Sequence, residues 1–129
     1  MVSMYLWAKE RVKTAKTKAF IYLWDHALPG PDAERFGAFH TGEVPYVMNT
    51  LYMSDRPFVD ADRKTADMMS SYWANFMSTG DPNGKGLKAW PAVGANQEVM
   101  ELGDKTGPVP VAGNATKFAF FEKFLTSKR

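Results

Sequence analysis

Lys18-Ala19-Phe20-Ile21-Tyr22-Leu23-Trp24-Asp25 is the stretch on which the reading of the fold turns. β-Branched and aromatic side chains fill it so densely that neither face can be left wet, as expected of a strand interior to a sheet. Just before it, Met4, Tyr5, Ala8, Val12 and Ala15 recur every three or four positions. That spacing predicts an amphipathic helix from Ser3 to about Ala15, with Ser3 as its cap. A helix feeding a buried strand suggests a crossover unit of an α/β sheet.

Working outward, Ala27-Leu28-Pro29-Gly30-Pro31-Asp32 breaks regular structure. An irregular but hydrophobic connection, holding Gly37, Gly42 and Pro45, then runs to Pro57. Loops of that length are uncommon inside compact domains and often carry function, so the search for a site begins there. Asp60 or Asp62 opens the clearest helix, with Ala66, Met69, Tyr72, Trp73, Phe76 and Met77 as one apolar stripe and Gly80 as its stop. Asp81-Pro82-Asn83-Gly84 reads as a turn, Gln97 to Leu102 as a short strand, and Lys117 to Leu125 as a final helix. No repeat, low-complexity tract or internal boundary appears. The expectation is one α/β segment over residues 1–129, with few strands, about three helices and an incomplete sheet.

Composition removes several classes of function. A chain of 129 residues, 45% hydrophobic, can bury roughly two-thirds of its unfolded surface, which argues against disorder. The apolar runs are far shorter than the ~20 residues that cross a bilayer, so no membrane partner is expected. A net charge of +2 gives no reason to expect nucleic acid. Lys9, Arg11, Lys13, Lys16 and Lys18 crowd the first eighteen residues; the plain reading is a solvated helix face whose C-terminal lysines favour the helix dipole. With no cysteine there is no disulfide, thiolate chemistry or cysteine metal site, and the compartment stays open. Neither a His-Glu-x-x-His pair nor an acidic calcium loop occurs, so no metal or cofactor is expected.

Two histidines supply all the imidazole. His26 closes the candidate strand, where histidines commonly hydrogen-bond neighbouring loops. His40 stands in Phe36-Gly37-Ala38-Phe39-His40-Thr41-Gly42-Glu43-Val44-Pro45-Tyr46, between glycines that let backbone approach closely and aromatics that exclude water. It is the better candidate base. A general base needs its second ring nitrogen held, and Glu43 is the nearest acid in sequence; a structural carboxylate bonded to backbone or serine fits Glu43 equally well. No serine among Ser3, Ser54, Ser70, Ser71, Ser78 and Ser127 lies in a Gly-x-Ser-x-Gly elbow. Gly80 to Gly86 is one residue short of a phosphate loop and lacks its hydroxyl, so it stays a turn.

Four segments in order, Phe20 to His26, Gly37 to Val47, Tyr72 to Asn83 and Trp90-Pro91, resemble the C-terminal part of the type-B carboxylesterases. That family includes the cholinesterases and has the α/β-hydrolase fold; the resemblance covers about residues 5–125. It implies that His40 is the base of a catalytic triad, that Glu43 is a supporting acid, and that the activity is carboxylic-ester hydrolysis through an acyl-serine. The family's nucleophilic serine, triad acid and oxyanion-hole glycines come from segments preceding this one. By that resemblance these 129 residues are expected to be a part of a longer enzyme, inactive alone, with a small-molecule ester as substrate of the whole. Apolar surfaces left bare would then favour self-association. The alternative is a stand-alone, non-catalytic interaction module of esterase-like shape.

Overall fold

The computed structural model describes residues 1–94 and 96–127. The chain packs as two compact units. One holds Met1–Leu23, Ala89–Glu101 and the chain from Gly107; the other holds Trp24–Lys88 and Leu102–Thr106.

In the first unit, helix α1 (Val2–Thr14) lies against the C-terminal helix α5 (Ala115–Thr126). Their apolar positions close a core of Val2, Tyr5, Ala8, Val93, Val99, Val111 and Phe118. Each large side chain buried there is worth ~1.5–3 kcal/mol. The Tyr5 ring meets Phe118 edge-on at 5.9 Å, and its hydroxyl donates to the Gly94 carbonyl at 2.6 Å, so the tyrosine is buried without losing its polar bond. The helix starts one residue earlier than the spacing predicts, and Ser3 makes no cap. Val2 belongs to the core, and winding the helix back to include it is what buries it. Asn114 caps α5 instead, its Oδ1 accepting from the Lys117 amide at 2.9 Å. Of the final helix's apolar positions Phe118 alone is buried; Phe120, Phe121, Phe124 and Leu125 are exposed.

The sheet has three strands in the order β1 (Tyr22–Trp24), β2 (Glu98–Leu102), β3 (Gly107–Pro110). β2 and β3 run antiparallel, with Val99 opposite Val109 and Met100 opposite Pro108. On its other side β2 takes β1, the Met100 amide donating to Ile21 at 3.0 Å. The run from Lys18 is therefore only partly ladder: Phe20 bridges Ala92, and Val93 donates to Ala19 at 2.8 Å. Nor is it buried on both faces as expected, since Leu23 is 38% exposed and β1 is an end strand of the sheet. Trp90 packs edge-on to Phe20 and Tyr22 and donates its indole N–H to the Ile21 carbonyl at 3.1 Å.

In the second unit, the short helices α2 (Ala33–Phe36) and α3 (Val44–Val47) precede α4 (Asp60–Thr79), on which α3 packs. The buried face of α4 is Asp62, Ala66, Met69 and Tyr72, at helical spacing; Phe76 and Met77, further along the expected stripe, are exposed. Gly80 ends the helix in the left-handed conformation at φ 77°, which glycine adopts without a Cβ penalty. The Tyr72 hydroxyl donates to Lys88 and the Asn75 amide to Pro82, tying the following turn back to the helix.

Candidate active site

Helix α2 and the turn after it carry the sequence's candidate base. Gly37 takes φ 53°, and His40 follows Phe39 on an exposed turn. Directly after His40, Thr41 sits at φ 72°, a left-handed conformation that a β-branched residue rarely adopts. The turn is closed by the Gly42 amide donating to Phe39 (3.0 Å) and the Val44 amide donating to Thr41 (3.2 Å). Gly42 is buried, and any side chain at that position would press on the Phe39 carbonyl, Leu28 and the Trp24 indole. Glu43 is half-buried and stands at the N-cap of α3, its carbonyl accepting from Tyr46 and Val47 at 3.0 Å each. Phe39 also lines an open cleft of about 550 Å³ with Leu28, Pro31, Phe36 and Arg56.

The other histidine sits in a different environment. His26 Nδ1 lies 2.6 Å from Asp104 Oδ1, and its Nε2 lies 3.0 Å from Asp62 Oδ1. Asp62, only 3% exposed, also accepts from the Tyr46 hydroxyl at 2.6 Å and from the Val59 amide at 2.8 Å. The Trp24, His26 and Tyr46 rings pack together, with Trp24 and Tyr46 centroids 4.9 Å apart, and Phe58 meets Tyr46 edge-on.

These contacts set the protonation states. Burial disfavours the His26 cation, but hydrogen bonds and charge from Asp104 and Asp62 outweigh it, so its pKa rises above 6.5. Burial would likewise raise Asp62, yet bonds from Tyr46, Val59 and His26 hold its carboxyl below 3.8. Burial, then the bond to Asp62, pushes the Tyr46 phenol well above its ordinary range. His26 thus lies between two carboxylates that favour its charged form, with both ring nitrogens engaged.

The structure therefore separates the two histidines: His40 on an exposed turn, His26 in a closed ionic network. Sequence reasoning missed that network because Asp62 and Asp104 lie 36 and 78 residues from His26. Among the described residues no group of three or more His, Asp or Glu could hold a metal ion, and no helix is long and apolar enough to cross a membrane.

Helices set against a small open sheet, with a histidine turn following the first strand, define a partial α/β-hydrolase fold, the fold of the solved esterases it is similar to. The chain belongs to the carboxylesterase family, whose profile matches residues 2–121. It is 34% identical over 95 residues to pyrethroid hydrolase Ces2e of Rattus norvegicus, covering 70% of this chain and 16% of that protein. Among solved structures it is similar to an esterase from anaerobic Clostridium hathewayi (TM-score 0.60, 19% identity, 70% of this chain, 18% of that one). It is also similar to the Geobacillus stearothermophilus carboxylesterase EST55 (TM-score 0.54, 27% identity, 70% and 19%). The chain thus spans under a fifth of the length of these relatives.

Proposed function

We propose that this segment supplies the histidine base to a serine carboxylesterase, with His40 as that base. The observation carrying the reading is the contrast between the two imidazoles. His26 has both nitrogens engaged by carboxylates, whereas His40 is exposed beside a strained threonine, the kind of backbone that clusters at active sites. In the reaction His40 takes the proton of a serine hydroxyl as the oxygen attacks the ester carbonyl, and returns it to the departing alkoxide. It then takes a proton from water as the water oxygen attacks the acyl carbon, and returns it to the serine oxygen as the acyl–serine bond breaks, which releases the acid and regenerates the hydroxyl. Glu43, three residues on, serves as a supporting acid of the same loop.

Residues 1–129 contribute as one C-terminal segment of an α/β-hydrolase domain, and the nucleophile and triad acid come from elsewhere. On this reading the 129 residues alone do not hydrolyse esters, because a base without its nucleophile forms no acyl-enzyme. Their exposed Phe120, Phe124, Trp7 and Met4 are faces that the remainder of the domain covers, and without it they favour self-association. The substrate is a small ester; no nucleic acid or membrane takes part.

The test is His40→Ala in the complete polypeptide encoded by the gene, assayed on a short-chain aryl ester. The expected loss in kcat is about 10⁴-fold or more. Turnover within tenfold of the parent would refute the assignment.

A further inference from the structure

We propose that Tyr46 and Asp62, braced by His26, are positioning residues that hold the turn bearing His40, an inference that rests on His40 being the base. Thr41, next to His40, is a β-branched residue at φ 72°, and such a conformation persists only where its surroundings over-determine it. The turn's own bonds, Gly42 to Phe39 and Val44 to Thr41, are local and partly exposed. Two further anchors lie on its C-terminal side. Gly42 is buried beside Trp24 and Leu28, where an added Cβ would come within 3.0 Å of the Phe39 carbonyl, so the backbone runs close to its surroundings there. Four residues on, the fully buried Tyr46 is fixed through its hydroxyl to Asp62, 2.6 Å away.

Asp62 can serve as the fixed end because it is itself held in two further ways. The Val59 amide ties it to the start of α4, and His26 ties it, through Asp104, to the turn between β2 and β3. Tyr46 thus links the short helix that follows His40 to the longest helix of the unit. The ring contacts of Tyr46 with Trp24, His26 and Phe58 would survive in phenylalanine, so Tyr46→Phe removes the link and leaves the packing.

A base displaced by a fraction of an ångström costs rate more than binding, because proton transfer demands close alignment that ground-state binding does not. In the complete esterase, Tyr46→Phe should lower kcat about tenfold per active site titrated with an organophosphate, with KM changed less than about twofold. Titrating the sites removes any contribution from unfolded enzyme. Tyr46→Phe combined with Asp62→Ala should be no slower per titrated site than Asp62→Ala alone, since both break one link. Hydrogen exchange read by mass spectrometry should accelerate about tenfold in peptides spanning residues 37–47 and stay unchanged in those spanning 115–126.

The outcomes separate the two ideas. If His40→Ala abolishes turnover while Tyr46→Phe leaves kcat per site unchanged, the positioning role is overturned and the assignment of the base stands. If His40→Ala retains turnover, the base assignment fails, and exchange alone judges the link. Unchanged exchange over residues 37–47 in Tyr46→Phe overturns the link in either case.

Discussion

Replacing Asp62 by alanine should be a severe single change, because this buried carboxylate is the centre of the polar network. The carboxylate is 3% exposed and accepts three hydrogen bonds, from Tyr46 (2.6 Å), Val59 (2.8 Å) and His26 (3.0 Å). Alanine leaves the Tyr46 hydroxyl buried without an acceptor, at ~1–3 kcal/mol. It also frees the Val59 amide at the start of α4, a loss of the helix-cap kind at ~0.5–2 kcal/mol. His26 is left with Asp104 alone, whose side chain is 70% exposed and so binds it weakly. Against these stands the desolvation of Asp62 itself, a cost that alanine removes. Breaking one member of a buried ionic network places the net loss at about 3–5 kcal/mol. That is a large share of the ~5–15 kcal/mol that holds an ordinary domain. Urea unfolding at pH 6, followed by tryptophan fluorescence, measures it; Trp24, 5.5 Å from the His26 ring, reports on the site directly. Asp62→Asn keeps one acceptor for Tyr46 but sets an amide against the Val59 N–H, so it should fall between alanine and the parent. A midpoint for Asp62→Ala within about 1 kcal/mol of the parent would mean that the network carries little of the fold.

Three further outcomes follow from the same geometry. His26 is raised above 6.5 in the folded chain, so its contribution is full below that value and fades as pH climbs through the folded pKa. Asp62 is lowered below 3.8, so its contribution is present above that value and is lost as acid takes the pH through the folded pKa. Stability should therefore plateau between the two, and His26→Gln should flatten the alkaline decline and weaken the acid limb only in part, since Tyr46 and Val59 still hold Asp62; an unchanged alkaline slope would contradict the raised pKa. Gly103→Ala should cost about 2–3 kcal/mol, because φ is 150° there and a Cβ would strike the Asp25 side chain and approach the His26 amide to 2.9 Å. A midpoint unchanged in urea would show that the turn can yield. Asn114→Ala should lose about 0.5–2 kcal/mol and some helical circular dichroism, through the lost cap on Lys117.

How far the fold could be read from the chain depends on the range of the forces that made each element. Helix α4 was legible because its apolar period, its acidic first turn and its Gly80 stop are all local, and the observed bounds Asp60–Thr79 match them. β3 was not, since Gly107-Pro108-Val109-Pro110 breaks every propensity for a strand; its prolines are tolerated because β3 lies at the sheet's edge. The start of α1 was misplaced by one residue because Val2 is drawn in by a core assembled from residues up to 118, which no cap signal encodes.

The two histidines show the same division within the site. What marked His40 was local: flanking glycines, neighbouring aromatics and an acid three residues away. Those features survive as an exposed turn with Thr41 in a strained conformation. What determines His26 is distant, for Asp104 reaches it from the turn between β2 and β3 and Asp62 from the start of α4. A base must keep a ring nitrogen open toward its substrate, whereas a structural imidazolium gains most when both nitrogens are filled and shielded. On the proposed reading, one imidazole of this chain serves chemistry and the other serves structure. The Tyr46 hydroxyl, bonded to the same carboxylate oxygen that meets His26, is where this structure joins the His26 network to the short helix that follows His40.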